Sequence, residues 1–227
     1  MSEFDELRDR KKKERELDLV TPADLVPVWA KYKTDDTGLI SIGIPQIDED
    51  KKFRYKGTVT AIVGYGGSKK SLLALNSARE AIFNSDCTAV YSSMEMSDIM
   101  KLDRILDMSI NMKEKYANPS YMIEKAIKAD QGRIPDLQNE LDDLYKDRLL
   151  LNFKPRATAK DYEQMILKAI ERTGRCDLLI VDGLSMMGGT GGFNETAQYS
   201  VNSGELKELA NKYNVWIALI CHCTRGS

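Results

Sequence analysis

The chain has 227 residues, of which 42% are hydrophobic and 30% charged, and a formal net charge of −2. That length supports one substantial core or two small domains, and the balance of residues is that of a globular protein. It excludes a span by an apolar helix and a cleaved leader, because no apolar run is long enough and the N-terminus is charged throughout, and it leaves any nucleic-acid contact to a local basic surface.

Residues 2 to 18 alternate acids and bases around Phe4, Leu7 and Leu17. This reads as a solvated helix or a disordered arm whose charges nearly cancel. A flexible tail is the plain interpretation, and a helix that docks on a neighbouring subunit is the sharper one. At Thr21-Pro22-Ala23-Asp24 the helix-start signals coincide: a capping hydroxyl, a proline suited to the first helical position and an acid at the positive end of the dipole. The spacing predicts a short helix there, disturbed at Pro27. Residues 1–36 are therefore expected to form an arm and linker helix, and 37–227 the main domain. Thr37 to Ile42 reads as extended, leading to Pro45 and Ile47-Asp48 before Gly57 turns the chain into a first central strand.

That strand, Val59 to Val63, stops at Gly64, passes through a turn of small residues and restarts at Ser71 as a helix predicted to reach about Phe83. Backbone N–H groups at a helix N-terminus are unpaired and partly positive, so a loop of small residues there wraps polyphosphate at little steric cost. Gly64, Gly66, Gly67, Ser68, Lys69, Lys70 and Ser71 are the candidate nucleotide-binding residues. Lys70 is expected to reach the β- and γ-phosphates, and the Ser71 hydroxyl to hold Mg²⁺. The pattern G-x-x-x-x-G-K-[ST] fails at one place, where Lys69 replaces the second glycine with bulk and a second positive charge. A glycine-rich turn that binds nothing has the same composition.

Cys87 to Ser92 is a second buried strand, ending in Ser93-Met94-Glu95-Met96-Ser97. A carboxylate where a parallel strand runs out lies at the ligand-binding edge of an open α/β sheet, so Glu95 is a candidate to polarise a water for attack on a γ-phosphate. An acid ahead of the predicted Asp98 to Met108 helix explains it equally well. Between Met112 and Arg148 the pattern is helical, charged and irregular, with Pro119 and Pro135 as breaks, and reads as a helical insertion over about 112–148. Arg148 to Phe153 is a third strand. Thr158-Ala-Lys-Asp161 resembles a capping box with Asp in place of Glu or Gln, and Tyr162, Met165, Ile166, Ala169 and Ile170 form a core-facing stripe.

Asp177 to Asp182 is a fourth strand, apolar until its final acid. A buried strand accommodates a carboxylate most cheaply at its open end, where the loop hydroxyl or a metal-bound water uses it, so Asp182 is the expected partner of Ser71 at the metal. A turn residue is the plain alternative. The run Gly188 to Asn194 is too rich in glycine to hold one conformation alone, and a helix is predicted from about Val201 to Tyr213. Val215 to Ile220 is a fifth strand, followed by Cys221-His222-Cys223. In a strand the two cysteines share one face and His222 points to the other, which argues against a metal site. The four cysteines of the chain, with Cys87 and Cys176, read as reduced core thiols. His222, the only histidine, lies just past a strand expected beside that of Asp182, within reach of a γ-phosphate.

Strands separated by helices throughout predict an α/β fold with a mainly parallel twisted sheet and helices on both faces. Lys70, Glu95, Asp182 and His222 all fall at C-terminal strand ends or just beyond. The loop Gly64 to Ser71, Ser93-Met94-Glu95-Met96, Leu179 to Leu184, and Leu206-Lys207-Glu208-Leu209-Ala210 leading to Ile220-Cys221-His222 resemble, in order and spacing, the RecA-like core of hexameric replicative DNA helicases of the DnaB type. Phage helicase-primases and their mitochondrial relative are the nearest in pattern, and the resemblance covers about Gly38 to Arg225.

The resemblance implies a P-loop ATPase of RecA-like fold that uses ATP and Mg²⁺, assembles as a homo-oligomeric ring, in the full-length protein a hexamer, hydrolyses ATP between subunits and moves on single-stranded DNA during replication. It implies Glu95 as the catalytic base, Lys70 and Ser71 as nucleotide and Mg²⁺ ligands, Asp182 as the second acid on the metal side and His222 as a phosphate sensor. Met187 to Ala197 is similar to one of the family's DNA loops, which makes Gly189, Thr190, Gly191, Gly192 and Asn194 candidate DNA contacts, although no Lys or Arg accompanies them. A primase or loader is an implied partner, a membrane is not, and the cytoplasm, of a host if phage-encoded, is the expected location. The family continues past the point matching Ser227 with further strands, another DNA loop and an arginine finger, so the chain reads as a core truncated at its C-terminus. A recombinase-like filament ATPase, or a nucleotide-binding loader or scaffold with hydrolysis weakened by Lys69, are the alternatives.

Overall fold

In the computed structural model, residues 21–34, 39–49, 56–110, 119–130, 133–188 and 195–223 are described. The chain divides into two units, Met1–Thr37 and Gly38–Ser227. In the first, the described segment is helix α1, Pro22–Thr34. Thr21 and Asp24 bond reciprocally at its start, with the Thr21 N–H donating to Asp24 Oδ2 at 2.8 Å. The expected disturbance at Pro27 does not occur; the helix continues through it. A proline in the second turn forfeits one backbone bond to the first turn, and the rest of the ladder forms around it.

The second unit is built on five parallel strands: β1 Val59–Gly64, β2 Ala89–Ser93, β3 Leu149–Asn152, β4 Leu178–Asp182 and β5 Trp216–His222, in spatial order β1-β5-β4-β2-β3. A short helix α2, Pro45–Asp48, occupies part of the segment expected to be extended. Helices α3 (Lys70–Ser85), α4 (Asp98–Ile110), α5 (Pro119–Ala129) and α6 (Arg133–Tyr145) follow β1 and β2, while α7 (Ala159–Thr173) and α8 (Glu195–Tyr213) follow β3 and β4. Because right-handed crossovers reverse face when the direction of strand addition reverses, the sheet is covered on both sides. Ala89, Tyr91, Leu178, Ile180, Ala218 and Ile220 pack against α3, α4 and α6; Val90, Leu179, Val181, Ile217 and Leu219 pack against α7 and α8. Central strands are therefore apolar at every position, and their period of two sorts side chains between two cores.

Three boundaries differ from the sequence reading, each for a local reason. Pro119 opens α5, and Pro135 is the third residue of α6, so the expected breaks are helix starts, where the missing N–H costs no bond. Helix α8 begins at Glu195, one turn and more before Val201, because the polar residues between are compatible with helix once the glycine run has ended. His222 is the last residue of β5 rather than a residue beyond it, since its backbone pairs with β1 opposite Gly64.

Candidate active site

The parallel register brings the C-terminal strand ends to one edge, the edge at which open α/β sheets bind ligands. Gly64 pairs with His222 and Ser93 with Asp182. The loop from Gly64 therefore starts beside His222, and Glu95 starts beside Asp182. Two bonds fix these junctions: Cys223 N–H donates to the Gly64 carbonyl at 3.1 Å, and Met94 N–H to the Asp182 carbonyl at 3.0 Å.

The loop turns tightly, with Ser68 N–H donating to the Tyr65 carbonyl at 3.2 Å. Gly64 is required there for space: a Cβ would lie 2.9 Å from Ser68 Oγ and 3.4 Å from Lys70 Cδ. Gly66, Gly67, Ser68 and Lys69 are exposed and Lys70 is buried, so the small residues form an open rim over a lysine held beneath. Lys69, at the place where the usual pattern has glycine, adopts a left-handed conformation with φ 60° and ψ 25° at the N-cap of α3. The turn thus keeps the geometry that glycine ordinarily supplies while carrying a side chain that disfavours it.

Two contact chains leave adjacent residues of this turn. Lys70 Nζ donates to the carbonyls of Gly64 and Tyr65 at 2.8 and 2.7 Å, and lies 3.4 Å from both Ser68 Oγ and His222 Nδ1. His222 Nε2 in turn lies 2.9 and 3.2 Å from the two Glu95 oxygens. An ammonium has only protons to offer, so Nδ1 accepts and Nε2–H donates to Glu95, the bonding pattern of one neutral tautomer. Gly183 makes room for Glu95: its φ of 114° is rarely adopted by L side chains, and a Cβ there would lie 3.2 Å from Glu95 Cγ.

In the second chain, Ser71 Oγ donates to Asp182 Oδ1 at 2.9 Å. Asp182 is fully buried, and its Oδ2 accepts from Tyr91 OH at 2.8 Å and Lys101 Nζ at 3.2 Å. The Lys101 ammonium, also fully buried, stands 4.1 Å from the Tyr91 ring centre. Burial draws the Lys101 pKa below its ordinary value, with Asp182 acting in the opposite sense, and burial together with Asp182 holds the Tyr91 phenol well above its own. Ser71 and Asp182 are hard oxygen donors at the mouth of the phosphate turn, a donor set that fits Mg²⁺.

Lys70, Ser71, Glu95, Asp182 and His222, spread over most of the chain, thus converge at one sheet edge. Sequence reasoning missed Tyr91 and Lys101. The available signal was Lys101 in the stripe shared with Ile105 and Met108, where an apolar residue is the rule. The candidate DNA contacts Gly189, Thr190, Gly191, Gly192 and Asn194 lie outside the described residues.

Among protein families, the model described as the DnaB-like helicase C-terminal domain matches residues 40–227. No curated protein matches. Among solved structures, the chain resembles that of a DnaB-like replicative helicase solved for its interactions with primase, at 17% identity and a TM-score of 0.68 over 92% of this chain and 49% of the other. It resembles the ATPase domain of a phage helicase at 18% identity and a TM-score of 0.68, over 92% of this chain and 72% of that one. The chain therefore spans about half the length of the first, and both likenesses establish the RecA-like fold of these ATPase domains.

Proposed function

The chain belongs to the DnaB-like helicase C-terminal domain family, and on that premise we propose that it is the motor core of a replicative helicase, hydrolysing ATP at subunit interfaces of a homo-oligomeric ring to translocate on single-stranded DNA. The observation that carries this reading is the pair of contact chains from Lys70 and Ser71, which join the phosphate turn to Glu95 through His222 and to Asp182 directly.

Each residue has a task that its position allows. Lys70 now donates to two loop carbonyls; triphosphate oxygens are stronger, charged acceptors for the same protons. Glu95 takes the proton from the water that attacks the γ-phosphorus as the bond to the ADP oxygen breaks. His222, between Lys70 and Glu95, senses whether Lys70 is engaged by phosphate and passes that state to the end of β5. Ser71 would hold Mg²⁺, with Asp182 behind it, and the ion would neutralise charge on the phosphates.

The test is ATP binding and turnover with and without single-stranded DNA. Glu95→Ala is expected to retain ATP binding and lose on the order of a hundredfold or more in turnover, and Lys70→Ala to lose nucleotide affinity. Unchanged hydrolysis by Glu95→Ala removes that residue as the base, and a wild-type ATPase indifferent to single-stranded DNA counts against the translocating motor. The left-handed Lys69 supports a second reading, a nucleotide-binding loader or scaffold with weakened hydrolysis. A wild-type rate near zero that Lys69→Gly raises would favour it.

A further inference from the structure

The buried pair of Lys101 and Asp182 has no task in the reaction set out above. The two Asp182 oxygens are divided: Oδ1 faces the Ser71 hydroxyl at the phosphate turn, and Oδ2 is turned into the core and occupied by Tyr91 and Lys101. Both charged side chains are fully buried. An apolar residue in the α4 stripe would pack there without the cost of desolvating an ammonium, so packing alone does not account for a lysine. Tyr91 braces the arrangement from below, since its ring lies under the ammonium and its hydroxyl proton is shared between Asp182 and the Ser71 carbonyl.

We propose that Lys101 is a positioning residue of the nucleotide site: a resident cation that neutralises Asp182 in advance, so that Mg²⁺ is drawn in by the nucleotide phosphates rather than by the carboxylate. This rests on the nucleotide-binding reading given above. An ammonium and a divalent ion that share one carboxylate repel each other, and at an effective dielectric of about 20 that repulsion weakens metal affinity by about tenfold or more. Lys101 also orients Asp182, keeping Oδ1 pointed at Ser71. The site thereby favours the metal–nucleotide complex as a unit over the free ion.

The test is equilibrium binding of a fluorescent ADP analogue to the full chain, with millimolar Mg²⁺ and with chelator, together with thermal melting in Mg²⁺ alone. Three proteins are compared: wild type; Lys101→Gln, which keeps a donor and loses the charge; and Lys101→Arg, which keeps the charge. Mg²⁺ is expected to tighten ADP binding by about tenfold more in Lys101→Gln than in the other two. Mg²⁺ alone is expected to raise the melting temperature of Lys101→Gln only. A residue with a merely structural role would lower melting without altering the coupling between metal and nucleotide, so equal coupling in all three overturns the inference. If Lys101→Gln does not fold, wild type still decides: a melting temperature raised by Mg²⁺ alone overturns the inference, and an unchanged one supports it. Wild type that binds no ADP under either condition overturns the nucleotide reading, and this inference with it, whereas binding with unaltered coupling sinks the inference alone.

Discussion

Lys69 shows how a residue can break a pattern while the backbone keeps it. Glycine is usual at the end of a phosphate turn because the chain there needs positive φ, and Lys69 takes φ 60° without it. A left-handed conformation costs a residue with a Cβ about 1–2 kcal/mol, whereas glycine returns about 0.4–1 kcal/mol of that through the greater freedom of its unfolded chain. Strain wins, and Lys69→Gly is expected to stabilise the nucleotide-free protein by about 0.5–1 kcal/mol, read as a higher urea midpoint at unchanged slope. An unchanged or lower midpoint would mean that the Lys69 side chain stabilises the turn by contacts that offset its backbone. At this scale the candidate site was legible wherever chemistry follows strand ends: Lys70, Ser71, Glu95, Asp182 and His222 needed only the guess that the strands are parallel. Tyr91 and Lys101 were not, because their importance lies in what faces them, and the separation between β2 and α4 in sequence says nothing of the distance from Lys101 to Asp182.

Among elements, α7 was the most legible and carries its own prediction. Thr158 and Asp161 close a reciprocal capping box, with Asp161 N–H donating to Thr158 Oγ1 at 3.3 Å and Thr158 N–H to Asp161 Oδ2 at 2.9 Å. The shorter Asp serves in place of Glu because Lys154 Nζ takes the other oxygen, Oδ1, at 2.7 Å. That bond, followed by the Thr158 N–H, lowers the Asp161 pKa from 3.8 to about 2. A folded-state pKa below the unfolded one means that the charged carboxylate stabilises the fold above about pH 4, and that this contribution fades as the pH falls toward 2. The carboxylate is partly open to solvent, so the effect is that of an ordinary cap, and Asp161→Asn should cost about 1 kcal/mol at neutral pH and progressively less below pH 4. Urea midpoints of the two proteins that stay equally far apart down to about pH 3 would show that the charge is not what the cap uses. By contrast, α8 and the start of α6 were misjudged from sequence. Polar residues near glycine and proline are ambiguous locally, and the contacts that decide them, such as Leu206 and Ala210 against the sheet, come from distant strands.

Across the whole sheet, stability and chemistry sit at opposite ends of the same strands. Asp182 ends β4 at the nucleotide edge, while Asp177 precedes it at the other and is as thoroughly enclosed, 2% exposed. Asp177 accepts from Thr88 N–H at 2.9 Å, from Arg175 Nε and Nη2 at 2.6 and 2.9 Å, and pairs with Lys56 at 2.5 Å. Burial works against its charge, but the bonds from Arg175, Lys56 and Thr88 outweigh it and keep the carboxyl below its usual pKa. The flanking thiols of Cys87 and Cys176 are both pushed up to about 12, first by burial and then by the Asp177 charge, so they are inert packing groups. None of these groups touches the phosphate turn, and the network joins the segment before β1 to the starts of β2 and β4. Asp177→Ala leaves two cations and a buried N–H without their acceptor. The expected cost is about 3 kcal/mol, or roughly 10 °C in melting temperature for a domain of this size. Measured well below the transition, nucleotide affinity should be that of wild type, since the strand ends that form the candidate site keep their register through β4 and β5. A variant that melts as wild type would show that Asp177 is not a staple, and one that melts lower but also loses nucleotide affinity would show that the two ends of the sheet are coupled.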